Sequence, residues 1–149
     1  MTAALPAAVR IRFSTRLELV RPLRKILVAV LEAQGWPGDA LEDAALVATE
    51  VLQNAVEHGS RHDGSEEVGL VLHVLEDACE LEVHDPGTGK GPHSLLGRDP
   101  AQPPDPSSDR GRGLFLVHRL AVGLERVRVG EGACVRVRLS MHGKDGSSA

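Results

Sequence analysis

The chain has 149 residues, 42% hydrophobic and 26% charged, with a formal net charge of −4. That is a single-domain length, able to bury a core without disulfides or a structural metal. Mild acidity, one tryptophan and the absence of tyrosine argue against a nucleic-acid binder, which needs a basic stripe and stacking platforms.

Residues 1–8 are small and are expected to be loose. Val9-Arg-Ile11-Arg-Phe13 alternates apolar and polar residues and predicts a strand. From Leu17 to Gln34 the apolar residues recur at helical spacing, with Pro22 tolerated in the first turn and Gly35 as the stop. Trp36-Pro37-Gly38 is a turn. Asp39 is the expected N-cap of a second helix, with Glu42 as its capping-box partner. That helix runs to Glu57 or His58 and stops at Gly59. Residues 59–66 form a polar loop. Val68–Leu75 and Cys79–Val83 alternate around Glu76-Asp77-Ala78 and predict a hairpin. Gly87 to Arg110 lacks periodicity and is dense in Pro, Gly, Ser and Asp, and a loop of that length in a compact domain is usually functional, a lid, or disordered. A third helix is expected over Gly113–Ala121, then a hairpin of Leu124–Val129 and Cys134–Leu139 around Gly130-Glu-Gly132. The order β-α-α-β-β-lid-α-β-β segregates strands from helices, which predicts an α+β sandwich with helices on one face of the sheet.

Cys79 and Cys134, the two cysteines, both fall in predicted strands and read as small apolar core residues in a reducing cytosol. The N-terminus has no signal-peptide pattern. The longest apolar run, Ile26 to Leu31, is too short to span a bilayer, so the expected location is cytoplasmic. His58 and His62 have metal-like spacing, but Gly59 separates them from a common helical face and no third ligand accompanies them.

Three stretches carry chemistry. Glu50 and Asn54 stand one helical turn apart and share a face. A carboxylate there can deprotonate a hydroxyl, and an amide oxygen can ligate Mg²⁺. A solvated helix face with Asp43 and Glu57 would look the same, except that Leu46 and Val47 intrude on it. Asp85-Pro-Gly87-Thr-Gly89 follows an apolar strand. It is either a plain turn or a carboxylate held to accept an adenine N–H, with glycines allowing close backbone approach. Gly111-Arg-Gly113-Leu114 opens a helix, where unobstructed backbone N–H groups suit phosphate. Gly87-Thr-Gly89-Lys90-Gly91 lacks the Ser or Thr of a P-loop. Pro92 and Leu116 each interrupt a dinucleotide-binding glycine pattern.

Together, and in this order, Glu50-x-x-x-Asn54, Asp85-x-Gly87-x-Gly89 and Gly111-x-Gly113-Leu114 resemble the GHKL ATPase superfamily. The stretches Ala48–Gly59 and Gly111–Val117 are similar to those of the bacterial anti-sigma factor serine/threonine kinases. The resemblance implies a Bergerat fold: a two-layer sandwich with a mixed, mostly antiparallel sheet backed by three helices. It implies one ATP-binding domain over 9–141, a lid at about 88–110 and a flexible tail at 142–149. It also implies ATP and Mg²⁺ as ligands, Glu50 as general base and Asn54 as Mg²⁺ ligand. Asp85 would read adenine, with Gly87 and Gly89 shaping its pocket. Gly111, Gly113 and Leu114 would hold phosphates, and one of Arg110 and Arg112 would lie near them. Gly132-Ala133 stands where the family often has Gly-Lys. The implied activity is phosphorylation of an anti-anti-sigma partner by a homodimer that also holds an RNA polymerase sigma factor. The alternatives are an ATP-binding partner-switch module without kinase activity, and a histidine-kinase catalytic domain acting in trans.

Overall fold

The computed structural model describes residues 8–89 and 112–144. The elements follow the expected order: β1 (Val9–Ser14), α1 (Val20–Ala33), α2 (Gly38–Glu57), β2 (Glu67–Val74), β3 (Ala78–Asp85), α3 (Arg112–Leu120), β4 (Gly123–Val129) and β5 (Gly132–Ser140). The five strands form one sheet in the order β1-β2-β3-β5-β4. The pairing, expected to be mostly antiparallel, is antiparallel at each of the four junctions among the described strands. Beyond Gly89 the expected lid lies outside the described residues, as do positions 1–7 and 145–149. No helix among the described residues is long and apolar enough to cross a membrane.

Alternation along each strand decides which face is covered. Val68, Leu70 and Leu72 of β2, Leu81 and Val83 of β3, and Val135, Val137 and Leu139 of β5 point into one core. The helices close that side. Leu23, Leu27 and Leu31 of α1 and Leu114 and Val117 of α3 join the same cluster, while α2 lies between α1 and α3. Its many alanines allow that close approach, and Val47, Val51, Leu52 and Val56 are fully buried. Burying a side chain the size of Leu52 contributes roughly 1.5–3 kcal/mol. Val47 is covered although Leu46 beside it is 47% exposed, because neighbours flank α2 on both sides.

Two local expectations are corrected. α2 begins at Gly38 with Pro37 as its N-cap, and no side chain caps it. Asp39 therefore sits in the first turn, where its charge favours the positive helix end without a capping bond. The segment before α1 is a 3-10 turn, Leu17–Leu19, and the α-helix starts at Val20. The stop at α1 is as expected: Gly35 adopts a φ of +87°, and its N–H donates to the Glu32 carbonyl at 3.0 Å.

The two thiols part company. Cys79 belongs to the core cluster, and burial pushes its pKa up to about 12. Cys134 is also buried, but strand alternation puts it on the opposite face of the sheet, in register with His84.

Candidate functional site

Those predicted site residues that the structure describes lie around the C-terminal half of α2, the end of β3 and the start of α3. Glu50 is half-buried, and its carboxyl titrates above its ordinary range, first because burial disfavours the charge and second because Glu57 adds a like charge. The glycine at position 113 makes room for it. A Cβ there would overlap Glu50 Oε2 outright and lie 3.0 Å from its Cδ. The structure thus brings Glu50 against the first turn of α3, where backbone N–H groups have no intrahelical acceptor. Asn54 follows one turn along α2 and is half-buried.

Asp85 ends β3 and is only 7% exposed. Its Oδ1 accepts the Gly87 N–H at 2.8 Å, which ties the carboxylate into the turn it begins. Gly59, read from the sequence as a helix stop, has a second part here. A Cβ on it would collide with the Asp85 side chain, and its carbonyl accepts the N–H groups of Gly87 and Thr88 at 2.9 and 3.2 Å. The end of α2 and the Asp-Pro-Gly-Thr-Gly turn are therefore one packed unit.

The other glycines of that turn have equally specific neighbours. Gly87 has a φ of +75°, and a Cβ on it would strike the Glu131 carbonyl of the β4–β5 turn. A Cβ on Gly89 would strike the His58 carbonyl. Thr88 donates its hydroxyl to Glu66 at 2.6–2.7 Å, and this bond holds the Glu66 pKa down. Thr88, Glu66 and the packing role of Gly59 escape sequence reasoning. Their partners are distant in the chain, and the only local signal is a glycine directly after a helix.

Leu114 is buried in the core, so its contribution to any phosphate site is its backbone N–H. Arg112 starts α3, and its side chain lies outside the described residues. Arg110 and Gly111 lie outside them altogether.

A half-buried carboxylate beside a helix N-terminus, and a buried carboxylate beside glycines that admit no side chain, is a donor set suited to a nucleotide and its metal. The comparisons agree with that chemistry. The family model of the histidine kinase-like ATPase domain matches residues 13–139. The serine-protein kinase RsbW of Bacillus licheniformis is 31% identical over 75% of this chain and 71% of its own. RsbW of Bacillus subtilis is 30% identical over 84% of this chain and 79% of its own. Among solved structures, a chain of the SiaB-SiaC complex from Pseudomonas aeruginosa superimposes with a TM-score of 0.58 at 16% identity, covering 89% of both chains, a likeness of fold. The chain belongs to the histidine kinase-like ATPase family, on its branch of RsbW-like anti-sigma factor kinases.

Proposed function

We propose that the protein binds Mg-ATP and transfers the γ-phosphoryl group to a serine or threonine of an anti-anti-sigma protein, and that it holds and releases an RNA polymerase sigma factor according to the partner's state. The observation that carries the reading is the approach of the Glu50 carboxylate to Gly113 at the start of α3. It joins a proton acceptor to a place where phosphate oxygens would be received.

Asp85 accepts the adenine amino group, and Gly87 and Gly89 keep the pocket wall free of side chains. The backbone N–H groups of Gly111, Gly113 and Leu114 hold phosphate oxygens. One of Arg110 and Arg112 adds positive charge near them. Asn54 supplies an oxygen ligand for Mg²⁺, which when bound neutralises charge on the phosphates. Glu50 orients the acceptor hydroxyl and takes its proton as the new O–P bond forms and ADP leaves. Its raised pKa suits that task, because a stronger base accepts the proton more readily.

The test is calorimetric titration of Mg-ATP into the wild type, Asn54→Ala and Glu50→Gln, with phosphate on the partner followed in parallel. Expected are saturable binding to the wild type, binding weakened about tenfold or more by Asn54→Ala, and binding without phosphotransfer in Glu50→Gln. No binding to the folded wild type would overturn the nucleotide site. Full phosphotransfer by Glu50→Gln would overturn the base assignment.

A further inference from the structure

The face of the sheet turned away from the helices carries a group of side chains that neither the core nor the nucleotide site uses. Strand register assembles it. β3 presents Glu82 and His84 on that face, and pairing with β5 sets Cys134 opposite His84 and Arg136 opposite Glu82. His84 Nε2 lies 3.5 Å from Glu82 Oε2 and 3.6 Å from Cys134 Sγ. The three potential ligand atoms all fall within 4.8 Å of one another. We propose that Glu82, His84 and Cys134 form a binding site for a divalent transition-metal ion of the zinc type, with one coordination position left for water or a further ligand.

Ligand spacing is the first support. A tetrahedral ion has bonds of about 2.3 Å to sulfur and about 2.0–2.1 Å to nitrogen or oxygen, so its S···N and N···O edges are roughly 3.5 and 3.3 Å. The two separations at His84 Nε2 match these edges to within a few tenths of an ångström, and the third edge, from Cys134 Sγ to Glu82, is no longer than 4.8 Å, so a small turn of the Glu82 carboxylate closes the set.

The identity of the converging atom is the second. A Cys–His–carboxylate proton relay uses both ring nitrogens, one toward each neighbour. Here a single nitrogen, Nε2, faces both the thiol and the carboxylate. One proton cannot serve both partners, whereas one cation serves all three atoms. The set of one sulfur, one nitrogen and one oxygen suits zinc and its neighbours, not Mg²⁺ or Ca²⁺, which take oxygen.

The surroundings hold the ligands in place. Arg136 Nε donates to the other Glu82 oxygen, Oε1, at 2.9 Å, and Arg136 Nη1 donates to Glu125 at 3.0 Å. That leaves Oε2 turned toward His84, the arrangement by which an outer partner orients a metal ligand. All three ligands project from adjacent strands of one sheet, so none has to be recruited from a loop. The His84 side chain is 44% exposed, and a trough lined by Arg10, Arg12, Gly69 and His84 opens beside it, giving a hydrated ion access. Binding releases the Cys134 proton to solvent. The thiolate and the Glu82 carboxylate then balance the two charges of the ion.

Cobalt(II) titrated into the untagged full-length chain without nucleotide tests the proposal, because a thiolate ligand produces a sulfur-to-cobalt charge-transfer band. The expected result is one cobalt per chain with that band, displaced by zinc. The band should be absent in Cys134→Ser and retained in Cys79→Ala, whose thiol lies in the core under the other face. Arg136→Ala should keep the band with affinity lower by about tenfold or more. If Cys134→Ser fails to fold, as judged by circular dichroism, His84→Ala carries the same test and should bind cobalt at least about tenfold more weakly. A folded wild type with no thiolate band in excess cobalt, a band that survives Cys134→Ser, or an unchanged affinity in His84→Ala would overturn the site.

Discussion

Gly113→Ala separates what the site does from what holds the fold together. Position 113 is helical, and its φ is not in the left-handed region. Alanine is favoured over glycine in a helix by at most about 0.8–1.0 kcal/mol, the helix-interior value, and position 113 lies in the first turn. The added Cβ would lie 3.5 Å from Glu50 Cβ, an ordinary contact, so α2 and α3 need not separate. Only the tip of the Glu50 side chain is in the way, and it must swing aside by roughly an ångström, at a rotamer cost of about 0.5–1.5 kcal/mol. The two contributions nearly cancel. The melting temperature should therefore stay within about 2 °C of the wild type. Catalysis should respond far more strongly, since a misplacement of about 1 Å can cost on the order of 100-fold in rate, equivalent to roughly 2.7 kcal/mol in the barrier. ADP formation with an anti-anti-sigma protein as acceptor, measured beside a thermal melt, reads both quantities. A variant that keeps its full rate would refute the placement of Glu50 as base. One whose melting temperature collapses would refute the separation of site from scaffold.

Two more substitutions probe the remaining walls of the site. Gly59→Ala drives a Cβ into Cγ, Oδ2 and Cβ of Asp85, a buried side chain without room to swing away. Overpacking of this kind costs about 1–3 kcal/mol, which for this length lowers the melting temperature by roughly 3–10 °C. Adenine nucleotide affinity should fall with it, and an unchanged melt would contradict the packing. Glu50→Gln tests linkage. The folded-state pKa of Glu50 is raised above the ordinary 4.5, so the folded protein holds the proton more tightly than the unfolded chain. Stability from this group is complete below 4.5 and falls as pH rises through the window up to the raised folded value. At neutral pH the charge is a burden, and Gln should match or exceed the wild-type melting temperature, the difference closing on acidification. A variant less stable than wild type at neutral pH would contradict the burial of this carboxylate.

Local information in the chain was sufficient for the elements. A period of two placed Val9–Phe13 and both hairpins within a residue or two of their observed ends, and a period of 3.6 placed the first two helices. Both periods arise from backbone geometry and are written residue by residue. Caps were less legible. Asp39 has the right chemistry for an N-cap, but Pro37 in an extended conformation already occupies that position and the helix starts at Gly38. The order of the three motifs proposed for the nucleotide was also readable, because each is a local pattern with a local reason.

What the linear sequence leaves open is which faces meet. Glu50 could have been one more charge on a solvated face. Packing of α3 against α2 is what half-buries it beside Gly113. Gly59 looked like a simple stop until the end of β3 came to rest on it. Cys134 looked like core, yet one residue of strand register sends its side chain to the opposite face, beside His84 and Glu82. Each of these contacts joins residues that are far apart in the chain. Only the closing of the sheet and the docking of the helices, driven by burial of the shared apolar core, selects them from the alternatives.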